Sequence, residues 1–272
     1  MKLLLSTLPV YLLVTFSISA AAKLNDADAG LQRRAIRCDP AWRVVSKDLR
    51  ALFKGCSDAA RSSTRAAFHD CFPGACDGSL TLQEELDRDE NALLVSISRT
   101  LSEKATRYKV SKADMIQAAA ALAIQSCRGP RLRFLAGRAD ATQPNAAGQM
   151  PTADADDATQ LRLFGARGFG AEELVALVGA HSAARLQQGL GLDTTPDRLD
   201  STVFYAQTRD ERAPSILGSD AALAAGNGTR RAWNRFAASQ GAWQVAFVAA
   251  MSKMTTLGNN VKNLTDCSVY LY

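Results

Sequence analysis

The chain has 272 residues, 32 Lys and Arg against 27 Asp and Glu, and two histidines, His69 and His181. Two imidazoles exclude a three-histidine zinc site within one chain and a His-rich metal store. The net charge of +5 is spread without a basic run, so it reads as a solvated surface and not as a nucleic-acid footprint. A hydrophobic content of 47% with 22% charged residues is ordinary globular usage and excludes long disorder.

In chain order, Met1-Lys2 precedes a largely apolar stretch to Ala22 that reads as a secretory signal peptide over residues 1–22. Pro9 and the small residues Ser17, Ser19 and Ala20 weigh against the alternative, a membrane anchor, and Ala20 and Ala22 supply a small-x-small cleavage site. Residues 23–34 end in Arg33-Arg34 and form a candidate pro-segment, leaving one mature domain over 35–272 with a charge of about +3. No later stretch is apolar enough for long enough to span a bilayer, so no membrane partner is expected.

The mature part holds six cysteines: Cys38, Cys56, Cys71, Cys76, Cys127 and Cys267. An even number in an exported chain implies three disulfides, with connectivity open. Cys71 and Cys76 are close enough for a local loop, and a Cys38–Cys267 bridge would tie the termini together. No CxxC pair supports zinc. Asn227-Gly-Thr and Asn263-Leu-Thr are glycosylation candidates at Asn227 and Asn263.

Helical patterns then follow one another, and no window gives a convincing strand, so the fold class is all-α. Residues 40–53 are amphipathic. Ser57 is a candidate N-cap for a helix over 58–71, and Ser111 for an Ala-rich helix. Residues 171–185 carry Glu172 and Glu173 in the first turn, where the helix dipole favours acids. Residues 233–257 read as one or two further helices.

Each histidine lies on one of these helices. Arg65 and His69 are four residues apart and share a face. The guanidinium would keep His69 neutral, hence basic, and offer fixed positive charge to a developing anion. Phe68 would supply an apolar wall, and the plain alternative is a solvated helix face. Leu174, Leu177, Val178 and His181 fall at i, i+3, i+4 and i+7, so His181 is expected on an apolar face. A buried imidazole there needs either a hydrogen-bond partner on each nitrogen, or a metal on one and an acceptor on the other.

Arg65-Ala-Ala-Phe-His69-Asp70-Cys71 and Leu174-Val-Ala-Leu-Val-Gly-Ala-His181-Ser182 resemble the distal and proximal haem motifs of the plant/fungal/bacterial haem peroxidase superfamily. They stand in the same order, 112 residues apart. Phe134-Leu-Ala-Gly-Arg138-Ala-Asp-Ala-Thr-Gln-Pro144, Asp193-Thr-Thr195-Pro-Asp-Arg-Leu-Asp200, Gly218-Ser-Asp220 and Leu264-Thr-Asp-Cys267-Ser add to the resemblance, which runs from about Cys38 to Ser268 and is nearest the fungal secretory (class II) members.

The resemblance implies a haem peroxidase fold of about ten helices in two lobes with haem b between them. It makes His181 the iron ligand, with Asp220 accepting from its other nitrogen, although a helix N-cap is an open alternative for Asp220. It makes His69 the general base toward hydrogen peroxide, Arg65 the charge stabiliser, Asn91 the acceptor that orients His69, and Glu85 the next member of that network. Phe68 and Pro151 fall at haem-pocket positions. Two calcium ions are implied. Asp70, Asp77 and Ser79 with carbonyls at Gly74 and Ala75 match the distal site; Ser182, Asp193, Thr195 and Asp200 with the carbonyl of Arg198 match the proximal one. The implied disulfides are Cys38–Cys267, Cys56–Cys127 and Cys71–Cys76.

The implied activity is peroxide-dependent oxidation of small phenol-like donors in one-electron steps through a ferryl state, by a secreted monomer. The departures bear on the donor. Asp58, Ser62 and Gln187 stand where manganese-oxidising relatives place three acids, so manganese is not expected. Ala176 replaces the surface tryptophan of lignin-oxidising relatives, and Leu192 replaces a proximal aromatic. The alternative reading is a secreted haem-binding or non-catalytic interaction protein that keeps the fold.

Overall fold

The computed structural model describes residues 38–186 and 188–272. The expected signal peptide and pro-segment, residues 1–34, and Gln187 lie outside the described residues. Twelve α-helices occur among those residues: α1 (Ala41–Leu52), α2 (Asp58–Cys71), α3 (Gln83–Leu86), α4 (Val95–Tyr108), α5 (Lys112–Ser126), α6 (Asp157–Gly165), α7 (Ala171–Val178), α8 (Ser201–Arg209), α9 (Gly218–Ala225), α10 (Arg230–Ala238), α11 (Gln240–Met254) and α12 (Ser268–Leu271). Two strands that the sequence pattern did not predict, β1 (Leu135–Ala136) and β2 (Thr265–Asp266), pair antiparallel with Leu135 opposite Asp266. At two residues each they are too short to carry a period-2 pattern.

Local chemistry explains the long helices. Ser57 Oγ accepts from the Ala60 N–H at 3.3 Å and Ser111 Oγ from the Asp114 N–H at 3.1 Å, so both expected N-caps form. Every residue of α5 from Ala113 to Ile124 is buried. It has no wet face, and its alanines let α2 and α4 approach closely. The expected helix over 233–257 is two helices. The break falls at Ser239, whose extended backbone ends α10 and whose side chain caps α11 by accepting from the Ala242 N–H.

The helices sort into two packed groups. In one, α2 and α4 lie against α5, with α1 and α12 alongside. In the other, α7 packs on α11, and α10 bridges α8, α9 and α11. Group one carries His69 and group two His181. Three disulfides fasten the chain: Cys38–Cys267, Cys56–Cys127 and Cys71–Cys76. All three pairings match the expectation. The first spans 229 residues, so its loop-closure contribution is the largest, roughly 3–5 kcal/mol. No helix among the described residues is long and apolar enough to cross a membrane.

Candidate active site

Helix α2 brings Arg65 and His69 onto one face, and Arg65 Nε–H donates to His69 Nε2 at 2.9 Å. The opposite ring nitrogen, Nδ1, lies 2.7 Å from Asn91 Oδ1. An amide oxygen can only accept, so Nδ1 carries the proton and Nε2 is the lone-pair nitrogen. His69 is buried, and burial, joined by the Arg65 charge and opposed by the Asn91 bond, pushes its pKa down to about 3. The ring is therefore a neutral base whose lone pair already holds a guanidinium N–H. Arg65 is held from behind, with Nη2 donating to the Glu90 carbonyl at 3.0 Å.

Phe68 packs on Phe72 and Phe164, with centroids 4.8 and 6.0 Å away, and stands 5.9 Å from the His69 ring, as an apolar wall requires. Pro151 is half-buried in the irregular segment that leads to α6.

Glu85 and Asn91 are both buried. Glu85 meets the network differently from the expectation. Asn91 Nδ2 donates to its backbone carbonyl at 2.8 Å, not to its carboxylate. The carboxylate turns toward Asn145, accepting from that residue's N–H at 2.6 Å. Asn145 Nδ2 in turn donates to Ser79 Oγ at 2.7 Å. Sequence reasoning missed Asn145. Its only signal was a place directly after Pro144, at the end of a recognised motif.

His181 sits differently. The stripe Leu174, Leu177 and Val178 is buried as expected, but α7 stops at Val178 and His181 lies in a 3₁₀ turn, Gly179–Ala183. The side chain keeps 36% of its surface accessible. Its Nδ1 lies 3.0 and 3.1 Å from the two Asp220 carboxylate oxygens. Asp220 is buried in the first turn of α9 and makes no side-chain cap, so the N-cap alternative is excluded. Nε2 has no hydrogen-bond partner among the described residues. An Nδ1–H held by a carboxylate leaves the Nε2 lone pair open, and that donor set fits an iron porphyrin. Gly179 makes room behind the turn: a Cβ there would collide with Trp243 Nε1 and the Tyr205 hydroxyl.

Two oxygen-rich clusters adjoin the histidines. Ser182 Oγ lies 2.9 Å from Asp193 Oδ2, 3.2 Å from the Arg198 carbonyl and 3.3 Å from Asp200 Oδ1. Thr195 Oγ1 reaches Asp200 Oδ1 at 2.7 Å. All five expected proximal ligand residues therefore converge, and burial, aided by the Asp200 charge, pushes Asp193 up to about 6. On the distal side Asp70 is fully buried, its Oδ1 accepts from the Leu80 N–H at 3.4 Å, and its Oδ2 has no partner. Burial, with Asp77 and Glu85 adding like charge, pushes Asp70 up to about 8. An orphaned buried carboxylate oxygen is what a hard cation would satisfy. Each cluster has only two carboxylates, and no group of three or more His, Cys, Asp or Glu placed for a metal occurs among the described residues. In the proximal cluster the Ser182 and Thr195 hydroxyls and the Arg198 carbonyl join the two carboxylates.

At the positions that bear on the donor, Asp58 is exposed and its Oδ1 is taken by Arg61 of the same helix. Ala176 and Leu192 are both buried. Asn227 and Asn263 are exposed.

The family model described as Peroxidase matches residues 45–239. The chain is 34% identical over 282 residues to the low-redox potential peroxidase of Taiwanofungus camphoratus, covering 93% of this chain and 82% of that protein. It is 31% identical over 271 residues to a peroxidase of Arthromyces ramosus, covering 84% and 74%. It is 28% identical over 302 residues to manganese peroxidase 2 of Phlebia radiata, covering 94% and 77%.

Proposed function

The chain belongs to the peroxidase family, and on that premise we propose that it reduces hydrogen peroxide at a haem b held by His181 and takes the electrons one at a time from small phenol-like donors. Haem, when bound, supplies the redox-active iron at which peroxide reacts and its oxidising equivalents are kept. The observation that carries the reading is the opposite preparation of the two imidazoles: His69 a buried neutral base, His181 a ligand clamped through Nδ1 to Asp220.

His69 Nε2 takes a proton from one peroxide oxygen and returns it to the other, so that the departing oxygen leaves as water. For this Arg65 lets go of Nε2, and its guanidinium then stabilises the charge that builds as the O–O bond breaks. Asn91 keeps the proton on Nδ1 throughout and so keeps Nε2 the base. Asp220 keeps His181 electron-rich. Calcium at each oxygen cluster would grip Asp70 and Ser182, the residues that directly follow the two histidines.

The donor assignment rests on what surrounds the histidines. Asp58 is already paired with Arg61 and Ser62 offers no charge, which supports a donor other than manganese. Position 176 is buried, with no tryptophan to relay electrons to the surface. Similarity to a relative named for low redox potential agrees with easily oxidised donors. Export is part of the proposal: signal peptide 1–22, pro-segment 23–34, a monomeric mature domain 35–272, glycans at Asn227 and Asn263, and no nucleic-acid or membrane partner.

The test is the absorption spectrum of the haem-reconstituted mature chain. Haem uptake and a spectral change with one equivalent of peroxide are expected, and a chain that takes up no haem sinks the reading. A turnover panel with manganese(II), veratryl alcohol, ascorbate and simple phenols tests the donor; fast oxidation of either of the first two would overturn that part alone.

A further inference from the structure

Helix α6 buries two side chains, Phe164 and, one turn earlier, Gln160. An apolar residue is the ordinary choice at such a position, because an amide is costly to bury unless its donors are met. Here both donors are met, and both outside α6. Gln160 Nε2 donates to the Ala155 carbonyl and to the Ser219 carbonyl, each at 3.0 Å. Only the NH2 end of the amide can serve two carbonyls, and its two hydrogens are then fully used.

Ser219 directly precedes Asp220, so the Ser219 carbonyl and the Asp220 N–H share one rigid peptide plane. The plane before it is held as well, because Ser219 N–H donates to the Ala153 carbonyl at 2.9 Å. A Cβ on Gly218 would stand 3.2 Å from Asp154 Cα, so the start of α9 lies directly on the strip 153–155. No side chain caps α9. The strip and Gln160 therefore fix where Asp220 leaves the backbone, and its carboxylate meets His181 Nδ1 at 3.0 and 3.1 Å. Gln160, Ser219 and Asp220 are all buried, so no bulk water is at hand to replace the amide donors.

We propose that Gln160 is a positioning residue for the Asp220–His181 hydrogen bond and so sets how electron-rich the His181 ring is. The inference rests on the peroxidase reading and on His181 as the iron ligand. A hydrogen bond from Nδ1 to a carboxylate raises the basicity of Nε2, and the gain falls as the carboxylate retreats or tilts. Gln160 acts on the peptide plane that carries Asp220. An apolar side chain of the same length leaves two buried carbonyls without that donor and frees the start of α9 from the strip. The carboxylate then holds Nδ1 less firmly, Nε2 becomes a weaker donor, and a weaker donor favours ferrous over ferric iron.

The experiment measures the ferric–ferrous midpoint potential of the haem-loaded mature chain, which a mere loss of stability does not move. Gln160→Met keeps the length and removes the amide. It should shift the equilibrium toward ferrous iron by about tenfold, which is about 59 mV upward. Asp220→Asn should raise the potential by more, because it removes the carboxylate itself. On the Asp220→Asn background, Gln160→Met should add less than about twofold, since its route to the iron is already cut. Gly218→Ala presses α9 away from Asp154 and leaves Gln160 in place; it should raise the potential too, and it serves if Gln160→Met does not fold.

A potential unchanged in Gln160→Met, or in Gly218→Ala should the first not fold, overturns the inference. So does an equal shift with and without the Asp220 carboxylate. Either result, obtained on a chain that reacts with peroxide, leaves the peroxidase reading standing. A chain that takes up no haem removes both.

Discussion

His69 ends a long, capped α-helix with both ring nitrogens engaged, one by Arg65 and one by Asn91, and is almost wholly buried. His181 ends a short helix in a 3₁₀ turn, with one nitrogen held by Asp220 and the other open. The difference teaches that burial and basicity are set separately from ligand character. Desolvation and a neighbouring cation make His69 a neutral base. A carboxylate on Nδ1 leaves the His181 Nε2 lone pair able to donate to a metal. Each histidine is also followed by a residue of an oxygen cluster, Asp70 after one and Ser182 after the other, so both are tethered to a candidate cation site through the backbone.

The comparison can be broken at either end. The largest effect is expected from His181→Ala, which leaves no proximal nitrogen: haem should be lost from the chain on gel filtration, read as the ratio of haem to protein absorbance. Normal retention would mean that His181 is not the ligand. Next, His69→Leu should keep haem and slow the peroxide step by about 10²–10⁴-fold in stopped-flow measurements, the range expected for a lost general base. A variant as fast as wild type would remove His69 from the chemistry.

Third, the peroxide rate should stay flat as pH falls and decline only as His69 is protonated, with a midpoint near its pKa of about 3. Arg65→Leu should move that decline to higher pH, because the guanidinium charge is one of the causes that hold the pKa down. The same shift bears on stability. The folded value lies below the ordinary 6.5, so the unfolded chain takes up the proton first. The resulting penalty is absent above about pH 6.5 and grows as pH falls toward 3, which equilibrium denaturation at several pH values would follow.

The smallest effect sharpens the proximal side. Gly179→Ala forces a methyl against Trp243 and Tyr205 and should cost about 1–3 kcal/mol of stability, read as a lower Tm, with His181 still able to bind haem.

Much of the site was legible in the sequence because its contacts are local or carried by dense motifs. Arg65 and His69 are one helical turn apart, so their spacing alone brings them together. Ser57 and Ser111 announce their helices by the hydrogen bonds they accept. The His181 turn was misread as a continuous helix, because the apolar period persists to residue 181 while the backbone tightens after Val178. Asn145 was missed because nothing in its neighbourhood signals a side chain that must face two distant segments at once.

By itself the sequence determined an all-α chain, two histidines in contrasting company and six cysteines to pair. The tertiary structure decided which groups meet across long separations: Asp220 with His181, 39 residues on, Asn145 with Glu85, 60 residues back, and Cys38 with Cys267, 229 residues apart. The physical reason is range. Helix periodicity and capping act over three or four residues and are written in the order of the chain. A hydrogen bond between distant segments exists only after packing has chosen which faces touch, and packing depends on every buried side chain at once.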